Sequence, residues 1–240
     1  MRLPNPTVGP VLQMLAELYP DSSTELTYES PFQLLAAVIL SAQCTDARVN
    51  RTTPALFAKY PDARAMAQAP IPDLERLVKS CGFYHMKALA LKRMAQSVVA
   101  DHGGEIPNTM EGLTSLRGVG RKTASVILNQ AFGLPAIAVD THVKRVANRL
   151  GWAKSGDPVK IEQELKDLVP VQDWGAINGR MILHGRRICT ARKPLCDKCE
   201  ISRYCAFYLT GGVAVTISKP HVKSNSGRKP RKAVPARRKH

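Results

Sequence analysis

Four cysteines confined to one short segment constrain this chain more than any other feature. Cys189, Cys196, Cys199 and Cys205 are spaced C-x6-C-x2-C-x5-C. A segment this short cannot bury a core of its own, so four thiols gathered in it read as metal ligands. Structural zinc sites usually pair two short C-x2-C knuckles. Here there is one such knuckle, flanked by wider gaps, and the spacing favours an iron–sulfur cluster while zinc stays open. Between the first two cysteines lie Arg192 and Lys193. A metal-anchored loop would present them as rigid phosphate contacts. The other two cysteines, Cys44 and Cys81, sit in apolar helical context and are expected to be buried small hydrophobes.

Charge points to a polyanionic partner. The 240 residues carry a formal net charge of +16. Nine basic residues and no acid follow Val213, so the body before it is basic in its own right. Nucleic acid or an anionic membrane surface would suit such a balance. A spanning helix is excluded, because the longest apolar run, Leu34–Leu40, falls far short of the ~20 residues needed. Pro4, Asn5 and Pro10 break up any secretory pattern at the N-terminus. A reducing cytoplasmic setting follows, in which cysteines bind metal or stay as thiols rather than pair.

The apolar periodicity is helical nearly throughout. Val8, Leu12, Leu15 and Ala16 share one face of a helix over 8–19. Ser30-Pro31 is an N-cap followed by proline at the first helical position, and opens an almost wholly apolar helix to about Ala42. Further helices are expected at about 45–58, 72–80, 85–101, 141–151, 158–168 and 172–187. Asn108 and Glu111 resemble a capping box opening a short helix to Leu116. The only strand-like piece is Val213–Ile217, and the tail after about 218, rich in Pro, Ser, Gly, Lys and Arg, is expected to be disordered. The fold class is all-α.

A second motif is Leu116-Arg117-Gly118-Val119-Gly120-Arg121-Lys122-Thr123-Ala124. Its glycines permit unusual backbone angles and a close approach to phosphate, which the free N–H groups of the following helix can bind. Val119 would anchor the turn in the core. Lys122 falls in the first turn of that helix. An ordinary solvated lysine is the plain expectation. A nucleophilic role would draw on the helix N-terminus, on the charge of Arg121 and on partial burial, all of which disfavour the ammonium form. A neutral amine can attack a sugar carbon and form a Schiff base. Asp140, in Ala138-Val139-Asp140-Thr141-His142, stands at a helix start, where it would be an N-cap and could also steady positive charge on a sugar.

Taken together with Ser41-Ala42-Gln43, Thr45-Asp46 and His184-Gly185-Arg186, these motifs resemble the endonuclease III family of DNA glycosylase/AP lyases, over about residues 5–210. The resemblance implies a two-lobed helix-hairpin-helix glycosylase fold. A six-helix barrel would occupy 24–134, with the hairpin at about 109–132. A discontinuous lobe of 1–23 and 135–211 would hold a 4Fe–4S cluster, and 218–240 would form a basic tail. It implies that Lys122 is the nucleophile and Asp140 its catalytic partner, with Cys189, Cys196, Cys199 and Cys205 as cluster ligands. It implies double-stranded DNA as partner, contacted by Gln43, Phe83, Gly118, Val119, Gly120, Arg121 and His142 as well as by Arg192 and Lys193. The implied activity is removal of oxidised or ring-saturated pyrimidines and β-elimination 3′ to the abasic site, by a monomeric, nucleoid-associated bacterial enzyme.

Two positions depart from the usual family pattern: Arg117 replaces a proline and Phe83 a leucine. Three other readings compete, one of them a zinc-binding nucleic-acid module without catalytic chemistry. An adenine-type glycosylase would excise a base without cutting the strand, and commonly lacks the hairpin lysine. A non-catalytic iron–sulfur DNA sensor would need neither Lys122 nor Asp140.

Overall fold

The computed structural model describes residues 6–22 and 24–212, and every regular element among them is helical. Val213–Ile217 and the basic tail lie outside the described residues. No helix among the described residues is long and apolar enough to cross a membrane.

Two separate apolar cores organise the described residues. Helices α2 (Pro31–Leu40), α3 (Asp46–Lys59), α4 (Ala63–Gln68), α5 (Ile71–Val78), α6 (Tyr84–His102) and α7 (Met110–Ser115) follow one another around the first, and α8 (Arg121–Phe132) joins them. Leu34, Leu35, Leu56, Leu91, Met94 and Ile127 fill this core. The second core gathers distant parts of the sequence. Helix α1 (Val8–Leu18) packs with α9 (Thr141–Leu150), α10 (Pro158–Lys166) and α11 (Trp174–Arg187) around Val11, Leu15, Val143, Ile161, Ile177 and Met181. Burying each such side chain contributes about 1.5–3 kcal/mol, so each lobe is held by its own apolar interior.

Local signals explain most helix starts. The Ser30 hydroxyl accepts from the Gln33 amide, and Pro31 follows at the first helical position. Asp62 caps α4 in the same way, accepting from Ala65 at 2.8 Å. This six-residue helix was not expected from the sequence, because it is too short to display a period. The capping box expected at Asn108 is displaced by one residue. Thr109 caps α7, with its hydroxyl accepting from Gly112 at 3.1 Å. Cys81 is buried as expected, whereas Cys44, on the turn after α2, is only half-buried.

Close contacts tie α11 to the segments that lead into and out of the first lobe. A Cβ on Gly179 of α11 would lie 1.8 Å from the Ser22 carbonyl, so only glycine fits there. The crossing segment 136–138 is held by Asn178, whose amide donates to the Ala136 carbonyl at 3.1 Å and accepts from Ala138 at 3.0 Å. This buried pairing fixes the chain immediately before Asp140.

Candidate nucleic-acid interface and metal centre

The hairpin between α7 and α8 presents an open helix N-terminus. Leu116 and Val119 are buried and pin the turn to the first core, and the Val119 amide donates to the Leu116 carbonyl at 3.1 Å. Gly118 adopts φ +85°, which a side chain resists. A Cβ at Gly118 or Gly120 would meet nothing within 4 Å. The glycines therefore leave the backbone bare on the outside rather than make room for the protein. Helix α8 has no side-chain cap and no acid in its first turn. Its first N–H groups are available to an anion, in contrast to the capped α2, α4, α7, α9 and α10. Val119 can offer only backbone, because its side chain is buried.

Lys122 lies in this first turn and is exposed. The partial burial expected from the sequence is absent. Arg121 does not stand free beside it either. Its Nε and Nη2 donate to Glu162 Oε2 and Oε1 at 2.6 and 3.0 Å, across to α10. Of the features expected around Lys122, the helix N-terminus remains.

Asp140 caps α9. Its Oδ1 accepts from the amides of His142 and Val143, both at 2.8 Å, and Oδ2 has no hydrogen-bond partner among the described residues. One carboxylate oxygen thus holds the side chain still while the other is free. His142 Nδ1 faces Arg145 Nη2 at 3.0 Å, and both pack against Gly185, where a Cβ would meet His142 at 3.1 Å. The His184-Gly185-Arg186 motif is explained in part by this close contact.

Two exposed turns carry the expected insertion residues. Gln43 and Phe83 are the two non-glycine residues with positive φ among the described residues, at 53° and 47°. Such a backbone is costly without a reason. Phe83 is 66% exposed and Met86 69%, which leaves an apolar knob on the surface. Its base is rigid: the buried Lys87 donates from Nζ to the Cys81 carbonyl at 2.8 Å, and Arg48 donates to the Ser80 carbonyl at 3.2 Å. Sequence reasoning did not find Lys87, because a lysine on an amphipathic helix reads as solvated.

The four cysteines of 189–205 line one cavity, with Val146, Leu150, Ile188 and Ile201 among its apolar walls. Thiols that surround a space rather than a point fit a multi-iron cluster better than a lone zinc. Burial pushes the Cys199 thiol up to about 11, and Cys196 and Cys205 rise for the same reason. A cationic iron core would supply the charge that lets such thiols ionise. Arg149, also missed from the sequence, binds the loop: Nη1 donates to the Thr190 carbonyl at 2.7 Å and to Cys189 Sγ at 3.3 Å, and Nη2 to the Ala191 carbonyl at 2.9 Å. Arg192 and Lys193 are exposed on this tethered loop.

Comparison with known proteins gives a consistent result. Residues 36–171 match the HhH-GPD superfamily of base excision DNA repair proteins, and residues 189–205 match the iron–sulfur binding domain of endonuclease III. The chain is 48% identical over 196 residues to endonuclease III of Synechocystis sp., covering 81% of this chain and 90% of the relative. It is 43% identical over 195 residues to endonuclease III of Bacillus subtilis, covering 81% and 89%. Among solved structures, a trapped endonuclease III–DNA covalent intermediate superposes with a TM-score of 0.79 at 38% identity, covering 88% of this chain and 99% of that one. A thermostable thymine-DNA glycosylase, at 24% identity and a TM-score of 0.76, shares the fold.

Proposed function

Because this chain belongs to the endonuclease III family of base excision DNA glycosylases and carries that family's 4Fe–4S cluster, we propose that Lys122 is its nucleophile, Asp140 its catalytic carboxylate and abasic or oxidised-pyrimidine sites in duplex DNA its substrates. The observation that carries this reading is the bare, uncapped start of α8 with Lys122 in its first turn, together with a carboxylate at the start of α9 whose Oδ2 has no hydrogen-bond partner among the described residues.

The chemistry follows from these groups. Backbone amides of 121–123 bind a phosphate and register the strand. The damaged nucleotide leaves the stack, since its glycosidic bond is inaccessible there. Gln43 fills the vacated space and Phe83 wedges the opposite strand. The Lys122 amine attacks C1′ and the base departs with the bonding electrons and a proton. The Asp140 carboxylate steadies the positive charge on the sugar. The sugar ring then opens as the C1′–O4′ bond breaks and O4′ takes a proton, and the resulting iminium acidifies the C2′ proton, whose removal expels the 3′ phosphate.

Cys189, Cys196, Cys199 and Cys205 hold the cluster, which supplies iron–thiolate bonds that cross-link the terminal segment. Residues 24–134 then form the barrel lobe, and 1–23 with 135–211 the cluster lobe, a division supported by the two cores. We take the enzyme to act as a monomer on chromosomal DNA.

Borohydride trapping tests the assignment. Duplexes containing one abasic site, one thymine glycol, or adenine opposite 8-oxoguanine are incubated with the protein, with base release and nicking scored separately. A covalent adduct with the first two, absent in Lys122→Ala, is the expected result. Undiminished trapping in that variant rejects Lys122 as the nucleophile. Base release from the third duplex without nicking would instead indicate the adenine-type activity.

A further inference from the structure

The two residues proposed to react lie on different lobes. Lys122 rides on α8, which packs on the first core, and Asp140 begins α9, which packs in the second. Something must fix one lobe against the other closely enough for both to serve a single sugar.

Among the described residues one set of ion pairs joins the lobes. Arg121 of α8 forms a two-pronged contact with Glu162 of α10, and Lys166 Nζ reaches Glu162 Oε1 at 2.6 Å from the next turn of the same helix. The Glu162 side chain is 5% exposed, against 44% for that of Arg121. Its backbone cannot drift, because Ile161 and Leu165 on either side of it are fully buried in the second core, alongside Val143, Val146 and Ala147 of α9. Lys166 is placed in turn over the Trp174 ring, 5.2 Å from its centroid. The path from nucleophile to carboxylate is therefore short. Lys122 adjoins Arg121, Arg121 is clamped by Glu162, and Glu162 sits on a helix packed against the one Asp140 caps.

Buried ion pairs contribute little net stability, since desolvating the charges offsets their attraction. What a bidentate guanidinium–carboxylate contact supplies is orientation. The start of α8 has no cap of its own to supply this. We propose that Glu162 is a positioning residue for the reaction: through Arg121 it holds the first turn of α8, and with it Lys122, in place relative to Asp140. The inference rests on the reading of Lys122 as nucleophile. It also gives Arg121 a structural task in place of the phosphate contact expected from its sequence position.

The test uses cluster-loaded full-length protein at saturating excess over an abasic duplex. Single-turnover borohydride trapping reports the chemical step, and affinity for a duplex with a tetrahydrofuran abasic analogue reports binding. In Glu162→Gln, trapping slows about 10- to 100-fold, as expected for a misplaced reactant, while analogue binding stays within about twofold. Arg121→Met shows the same split, and the double variant is no slower than the worse single one, because both changes break one contact. Trapping at the wild-type rate in Glu162→Gln overturns the proposal. So does an Arg121→Met protein that binds the analogue weakly, with a flatter salt dependence, yet traps normally once saturated. If Glu162→Gln melts below the assay temperature, Arg121→Met at its half-exposed site decides the matter by the same criteria. A wild-type protein whose adduct survives Lys122→Ala would refute the nucleophile assignment itself, which the lysine control separates from failure of the clamp.

Discussion

The Arg149 guanidinium donates to the Cys189 sulfur at 3.3 Å, from the last turn of the helix that Asp140 begins. The same side chain takes two loop carbonyls and stacks 4.8 Å from the Phe207 ring. Helix α9 thus links the candidate catalytic carboxylate at one end to the cysteine loop at the other. Arg149→Ala removes charged hydrogen bonds that contribute about 1.5–3 kcal/mol each to stability. The variant should lose iron to a chelator faster than wild type, followed by the visible absorbance near 400 nm, and melt at a lower temperature.

The two hairpin glycines should respond differently. Gly118→Ala meets a φ of +85° and should cost about 1–2 kcal/mol in folding stability as well as DNA affinity. Gly120→Ala has an ordinary φ of −89° and open space above it, so its stability cost should stay below about 1 kcal/mol. Its DNA affinity should still fall, because the new methyl group lies where a phosphate would approach. Equal affinity for Gly120→Ala and wild type would mean that the α8 N-terminus does not bind the backbone.

Phe83 turns most of its ring to solvent, so little of the fold depends on it. Phe83→Ala should leave stability within about 0.5 kcal/mol of wild type. Affinity for abasic duplex should drop by about 1–3 kcal/mol if the ring stacks on an orphaned base. Titration with fluorescent duplex, alongside thermal melting, separates the two effects.

Glu162 makes a pH prediction with a definite sign. Burial raises its carboxyl, but hydrogen bonds from Arg121 and Lys166 outweigh that and hold it below its ordinary value of 4.5. The stability it contributes is therefore complete above pH 4.5 and declines as pH falls through the depressed folded-state value. Glu162→Gln should be less stable than wild type at neutral pH, with the gap closing in acid. Urea titrations at stepped pH measure this directly, and a gap that widens in acid would contradict the assignment.

The nine basic residues after Val213 are expected to touch DNA without sequence preference. Each phosphate that these residues neutralise should steepen the slope of log affinity against log salt by about 0.9. Deleting residues 218–240 should flatten that dependence, and an unchanged slope would show that the tail stays off the duplex.

Much of the fold was legible in the linear chain. Long helices such as α6 and α11 announce themselves by period, and the Ser30-Pro31 start by its chemistry. Helix α4 does not, because six residues hold too few turns for a pattern. The motif residues Lys122, Asp140 and the four cysteines could be named from spacing and resemblance. Lys87, Arg149 and Glu162 could not, because a charged residue on an amphipathic helix looks the same whether it meets water or a buried partner.

Local period and spacing were enough to settle the helical class and the metal-binding segment, and motif resemblance the family, since none of these needs a distant contact. Packing settled which charges are free. It drew Arg121 into the grip of Glu162, left Lys122 exposed, and committed one oxygen of Asp140 to its helix while freeing the other. Those outcomes turn on contacts between residues some forty positions apart or on which side of a packed helix faces solvent, and no local pattern encodes either.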